Sequence, residues 1–181
     1  MRVLLSGLSG TGSTTAARRI AEDLGLRYVY GGQIFRNLAD EHNISLEELA
    51  ESFERNSEIE REIDQRLILE GMNDNVLVEG RTIGWLFPAD VPALRIWLTC
   101  DLEERLNRVE RRENHPRSRE NLLRREASDN RRYLRLYGIE PEDFSQFDLV
   151  LDTTALSVDE VVDKIEALAF EPVENGEPVT T

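Results

Sequence analysis

One lysine and one cysteine in 181 residues narrow what this chain can be before any motif is read. The single Cys100 excludes a disulfide framework or a cysteine metal cluster, and leaves that residue the role of a small buried hydrophobe. There is no N-terminal apolar segment and no run of eighteen apolar residues. The expectation is therefore a cytoplasmic protein, neither secreted nor membrane-spanning. Positive charge is scarce. Against 36 Asp and Glu stand 22 Lys and Arg, a formal net charge of −14, so nucleic acid and anionic membranes are poor partners. Dense carboxylates with almost no lysine would also keep a surface hydrated in a high-salt cytoplasm.

What is present is concentrated in a few stretches. Val3-Leu4-Leu5 reads as a buried strand, Gly7 to Thr14 as a glycine-rich turn, and Thr15 onward as a helix with Ala16, Ala17, Ile20, Ala21 and Leu24 at helical spacing. Strand, loop and helix N-terminus make an anion cradle, because backbone N–H groups converge there and the helix dipole adds partial positive charge. The loop Gly7, Leu8, Ser9, Gly10, Thr11, Gly12, Ser13, Thr14, followed by Thr15, matches the phosphate-binding pattern G-x-x-x-x-G-K-S/T except at one position. Ser13 stands where the pattern has lysine. The absent ammonium is worth ~4 kcal/mol beside a phosphate at about 4 Å and an effective dielectric of about 20. Something else must supply that positive charge, or phosphoryl transfer at this loop is slow. Thr14 still offers a hydroxyl to Mg²⁺.

Downstream, Arg27–Tyr30, Asn75–Arg81, Leu94–Thr99 and Phe147–Asp152 read as further strands alternating with helices. Ser45 with Glu48, Ser57 with Glu60, and Asp101 with Glu104 have the spacing of capping boxes. Leu46, Leu49 and Phe53 are expected on one buried helical side. The implied architecture is α/β, a parallel sheet of about five strands with helices on both faces, forming one domain over residues 1–170. Residues 171–181 read as a disordered tail.

Eleven arginines fall between Arg105 and Arg135, about half of the total in roughly a sixth of the chain. Most are balanced by neighbouring glutamates as a solvated helical hairpin. Arg108, Arg112, Arg125 and Arg132 are the candidates for a mobile, arginine-rich lid over about 105–137 that closes on a triphosphate. Residues 114–118, including His115, read as the lid tip, with His115 exposed rather than a catalytic base.

Four segments together resemble the cytidylate kinases of the nucleoside monophosphate kinases, the archaeal-type branch most closely, over nearly the whole chain up to about Leu168. They are GLSGTGSTT from Gly7, GGQIFR from Gly31, VEGRTIGW from Val78 and LVLDTTALSVDEVV from Leu149. The resemblance implies a P-loop NTPase fold with acceptor-side helices over about 32–71, and transfer of phosphate from ATP to CMP or dCMP with Mg²⁺. It implies that Arg36 and Arg81 bind the acceptor phosphate, and that Arg125, Asp129 and Arg132 fall among lid and acceptor contacts. Asp64 and Arg66 resemble an I-D-x-R element facing the acceptor. Glu79 is expected as a second, water-mediated contact to Mg²⁺ beside Thr14. Arg81, Arg108, Arg112 and Arg132 are the expected catalytic set, in a protein expected to be a monomer. Thr82 and Ile83 depart from the family's E-G-R-x-x-G element, where the choice of base is at stake. Alternatives are a kinase for AMP, UMP or a small alcohol such as shikimate, a non-catalytic nucleotide-binding module, and an RNA-linked role for the arginine hairpin.

Overall fold

A computed structural model describes residues 1–46, 48–49, 52, 57–113, 118–170 and 179–180, with the side chains of 57, 60, 118 and 179–180 left aside. Six strands are found among them: β1 (Arg2–Gly7), β2 (Arg27–Tyr30), β3 (Val76–Glu79), β4 (Leu94–Thr99), β5 (Leu149–Asp152) and β6 (Val179–Thr180). The helices are α1 (Ser13–Asp23), α2 (Gly31–His42), α3 (Ser57–Gly71), α4 (Ile83–Leu86), α5 (Leu102–Glu113), α6 (Ser118–Tyr137) and α7 (Val158–Phe170). The strand order is β2-β3-β1-β4-β5-β6, every pairing parallel. The five expected strands are all present. The two-residue β6 adds to the β5 edge from within the stretch read as a tail; the rest of that stretch lies outside the described residues.

Strands of a parallel sheet are buried on both faces and therefore read as continuous apolar runs rather than alternating ones. β1 obeys this. Val3 and Leu5 pack with Ala17 and Ile20 of α1 and Val161, Val162 and Ile165 of α7. Leu4 faces the other way, with Val76, Val78, Leu67 of α3, Ile83 and Phe87. Those two clusters fix helices on both sides of β1 and leave the strand ends free for chemistry. The chain leaves β1 for β2 on one side and reaches β4 on the other, so a crevice opens at the carboxyl ends of β1 and β3, where such sheets bind ligands.

Several local expectations are refined. Helix α1 begins at Ser13, two residues before Thr15, because Gly12 takes a left-handed φ of 89° as its N-cap. The Ser45 box forms, with Ser45 N–H donating to Glu48 Oε2 at 2.8 Å and Glu48 N–H to Ser45 Oγ at 3.1 Å. The Asp101 box does not: Glu104 accepts from Arg108 Nε at 2.9 Å, and Asp101 N–H instead donates to Thr154 Oγ1 at 2.9 Å. The box expected at Ser57 and Glu60, the side chain of Phe53 and the tip at 114–117 lie outside what is described. Leu46 is exposed rather than buried, although Leu49 is fully buried. Cys100 is half-buried.

Candidate active site

The glycine-rich loop runs from the end of β1 onto α1, and its shape depends on what packs beneath it. Gly10 has φ of 90°, and a Cβ there would lie 2.7 Å from the Arg105 carbonyl oxygen of α5. Both backbone conformation and space exclude a larger residue. Gly10→Ala is therefore expected to raise the KM for nucleoside triphosphate at least about tenfold and to lower Tm by roughly 4–8 °C, about 2 kcal/mol of strain and clash in a chain this size. Steady-state kinetics and a thermal melt check both. Thr11 closes the turn, its Oγ1 donating to the Leu8 carbonyl at 2.9 Å. Thr153, buried at the end of β5, donates to the Thr11 carbonyl at 2.8 Å.

Ser13, in the lysine position, donates to Glu79 Oε1 at 2.8 Å, and Thr14 donates to the same oxygen at 2.7 Å. The Tyr28 hydroxyl donates to Glu79 Oε2. Glu79 ends β3 in register with Leu5 of β1 and Tyr30 of β2, and is 5% exposed. Three hydroxyl donors satisfy this buried carboxylate, as its burial requires. Burial, and then the bond to Glu79, push the Tyr28 phenol well above its ordinary pKa, so it stays a donor. Two hydroxyls and a carboxylate at one point form an all-oxygen donor set that fits Mg²⁺, which takes few protein ligands and completes its shell with water and phosphate. Among the described residues there is no cluster of three or more His, Cys, Asp or Glu to hold a metal without such help.

Across the cavity, Arg81 donates from Nη2 to Ser9 Oγ at 2.9 Å and pairs through Nη1 with Asp129 of α6. Asp129 also accepts from Arg132 Nη2, while Arg132 Nη1 donates to Ser128 Oγ at 3.0 Å. Arg36 lies over the Tyr30 ring at 5.5 Å and donates to Gln33 Oε1 at 3.0 Å. Arg108 is held at the donor loop: its guanidinium donates to the Thr153 carbonyl at 2.9 Å and the Thr154 carbonyl at 3.2 Å. Arg112 and Arg125 are exposed, with Arg125 3.7 Å and Arg112 3.2 Å from Glu113. Asp64, 8% exposed, accepts from Thr82 Oγ1 and Tyr137 OH, each at 2.6 Å.

These residues line one cavity of about 1500 Å³, which takes in the loop from Gly7 to Thr15 together with Arg36, Asp64, Glu79, Arg81, Arg108, Arg112, Arg125, Asp129 and Arg132. Arg66 is the exception. It is absent from that lining, forking instead onto Glu41 at 2.7 and 2.9 Å and reaching Glu62 at 2.7 Å. The i,i+4 glutamate on its own helix and the end of α2 capture it, and those bonds push its pKa up. In this structure Arg66 thus faces Glu41 and Glu62 rather than the cavity, and Arg66→Ala should leave turnover within about threefold of wild type in the same kinetic assay.

Sequence reasoning missed four contributors: Arg18 and Arg124, which line the cavity, Tyr28, which holds Glu79, and Arg105, buried under the loop. No local pattern marks Tyr28 or Arg105, since their partners lie 51 and 21 residues away.

Residues 2–155 match the model of the cytidylate kinase-like family. The cytidylate kinase of Methanopyrus kandleri is 38% identical over 186 residues, covering 97% of this chain and 96% of that protein. The cytidylate kinase of Pyrococcus furiosus is 40% identical over 168 residues, covering 91% and 86%. A shikimate kinase structure from Bacteroides thetaiotaomicron superposes with a TM-score of 0.60 at 14% identity, over 93% of this chain and 98% of that one; this likeness shows the fold. With a phosphate-binding loop on a parallel α/β sheet, a family model matched over residues 2–155 and relatives matched over more than nine-tenths of its length, the chain belongs to the cytidylate kinase-like family.

Proposed function

We propose that the chain transfers the γ-phosphoryl group of ATP to CMP or dCMP, giving ADP and CDP or dCDP. One observation carries the reading: a donor loop and the acceptor-side arginines Arg36 and Arg81 share a single cavity. Its volume of about 1500 Å³ exceeds the 300–1,000 Å³ usual for one ligand, as a site for two nucleotides should.

In this reading the backbone N–H groups of Gly7 to Thr14 and the α1 N-terminus cradle the donor phosphates. Thr14 and Glu79 hold Mg²⁺, with Ser13 beside them. Bound there, the ion would offset negative charge on the phosphate oxygens and help orient them. Arg36 and Arg81 grip the acceptor phosphate in line with the bond to be broken. Asp129, paired with Arg81 in the structure, gives way or turns toward the acceptor sugar when that phosphate arrives. Arg108, Arg112 and Arg132 neutralise the charge that spreads over the transferred oxygens as the α5–α6 hairpin closes, with Arg125 alongside. Catalysis is then positioning plus electrostatic stabilisation in a water-poor site, and needs no covalent intermediate. Asp64, held by Thr82 and Tyr137, faces the acceptor side.

A coupled assay of ADP release across CMP, dCMP, UMP and AMP, at low and multimolar salt, tests the proposal. CMP and dCMP should exceed UMP and AMP in kcat/KM by at least about tenfold, a 1.4 kcal/mol preference. Tight binding of ATP and CMP without ADP release would overturn it in favour of a non-catalytic module.

A further inference from the structure

Ser9 sits at the meeting point of two ion pairs that reach the same helix. Its hydroxyl accepts from Arg81 Nη2 at 2.9 Å, and Arg81 pairs with Asp129 of α6. Its carbonyl accepts from Arg105 Nη1 at 3.3 Å, and the same nitrogen donates to Glu126, also of α6. Glu126 and Asp129 are three residues apart and so share one helical face, with Arg132 three further along. Donor loop, acceptor-side arginine and arginine-rich helix are thus joined in a closed ring through two carboxylates.

The Arg105 arm is buried and made only of protein. Arg105 is 6% exposed and Glu126 9%, while Arg105 Nε donates to the Cys100 carbonyl at 3.2 Å. Gly10 rests on the Arg105 backbone. A displacement of the loop on binding phosphate would therefore be passed to Arg105, and through Glu126 to the helix that carries Asp129 and Arg132. A buried ion pair adds little stability that well-packed apolar side chains could not also supply, which directs attention to geometry.

We propose that Arg105 and Glu126 are positioning residues that couple occupation of the donor loop to the placement of the α6 arginine face around the acceptor. The inference rests on the two-nucleotide reading above. It is tested by titrating CMP calorimetrically with and without a non-hydrolysable ATP analogue. Wild type should show a coupling of about 5- to 150-fold between the two ligands, the usual range for linked sites. In Glu126→Gln the coupling should fall to within about twofold of unity. Each ligand alone should bind within about threefold of wild type, and kcat should drop more than KM.

The double variant Arg105→Met/Glu126→Leu separates positioning from packing alone. It removes both charges and should restore the melting temperature. Coupling still lost in this stable variant supports the proposal; coupling restored with stability overturns it. Wild type that phosphorylates CMP yet shows no coupling also overturns it and leaves the proposed function standing. Wild type that turns over no CMP overturns the function, and the inference falls with it.

Discussion

Arg81→Ala is expected to lower kcat/KM for CMP by about 10³- to 10⁴-fold, ~4–5.5 kcal/mol of transition-state stabilisation, with Tm shifted by no more than roughly 4 °C. Both halves follow from where the side chain sits. Its side chain is 29% exposed at the cavity and its guanidinium donates to Ser9 on the phosphate-binding loop, which in the proposed reading puts it between donor and acceptor. A planar, always-charged fork there can serve the incoming phosphate and the transferred group together. Stability is spared because Asp129, the partner left behind, keeps Arg132. Loss of a sole partner would leave a buried charge stranded, at a cost of about 3–5 kcal/mol. Steady-state kinetics with a melt on the same sample decides it: a rate within tenfold of wild type removes Arg81 from the reaction.

Glu79→Gln should be nearly as damaging to kcat, by about 10²- to 10³-fold, and should raise the Mg²⁺ concentration needed for half-maximal rate. The substitution keeps size and shape. It removes the charge and one of two acceptors, although hydroxyls from Ser13 and Thr14 converge on one oxygen and Tyr28 on the other. Whichever way the amide turns, its NH₂ must face a hydroxyl arranged as a donor. Rate measured against free Mg²⁺ gives the answer. An unchanged Mg²⁺ profile would make Glu79 a purely structural cap for the loop hydroxyls.

Much of this was legible in the sequence because its causes are local. The apolar run, the glycines at fixed offsets and the helical spacing after them determine strand, cradle and α1, since each is set within a few residues. The excess of arginine over 105–135 marked the hairpin that flanks the cavity. Which arginine does what was less visible. Arg66 has the charge and the motif position, yet Glu41 and Glu62 hold it elsewhere. Arg105 reads as one more surface guanidinium, but it is buried against Glu126 and the loop. Arg108 reads as a lid residue, and the structure adds three hydrogen bonds to Thr153 and Thr154 that no local pattern in the sequence marks. The short helix α4 escaped because four residues cannot display a 3.6-residue period. For the arginines the deciding partner is a competing neighbour or a residue distant in sequence, and composition cannot see geometry.

Ser13 gains its meaning from the same long-range chemistry. A serine in the lysine position looks like a loss until its hydroxyl is found beside that of Thr14 on Glu79. In the proposed reading that position stands beside the Mg²⁺ ligands, and guanidinium groups lining the cavity supply the positive charge that offsets the transferred group.

A crystal structure of the protein with CMP, ADP, Mg²⁺ and a metal fluoride in place of the transferred phosphoryl group tests that substitution most directly. At least one guanidinium among Arg108, Arg112 and Arg132 should lie within about 3.2 Å of the fluoride ligands, with Ser13 still at Glu79. A complex in which no arginine approaches the fluoride, or in which Ser13 alone contacts it, would show that guanidinium groups do not stand in for the loop lysine.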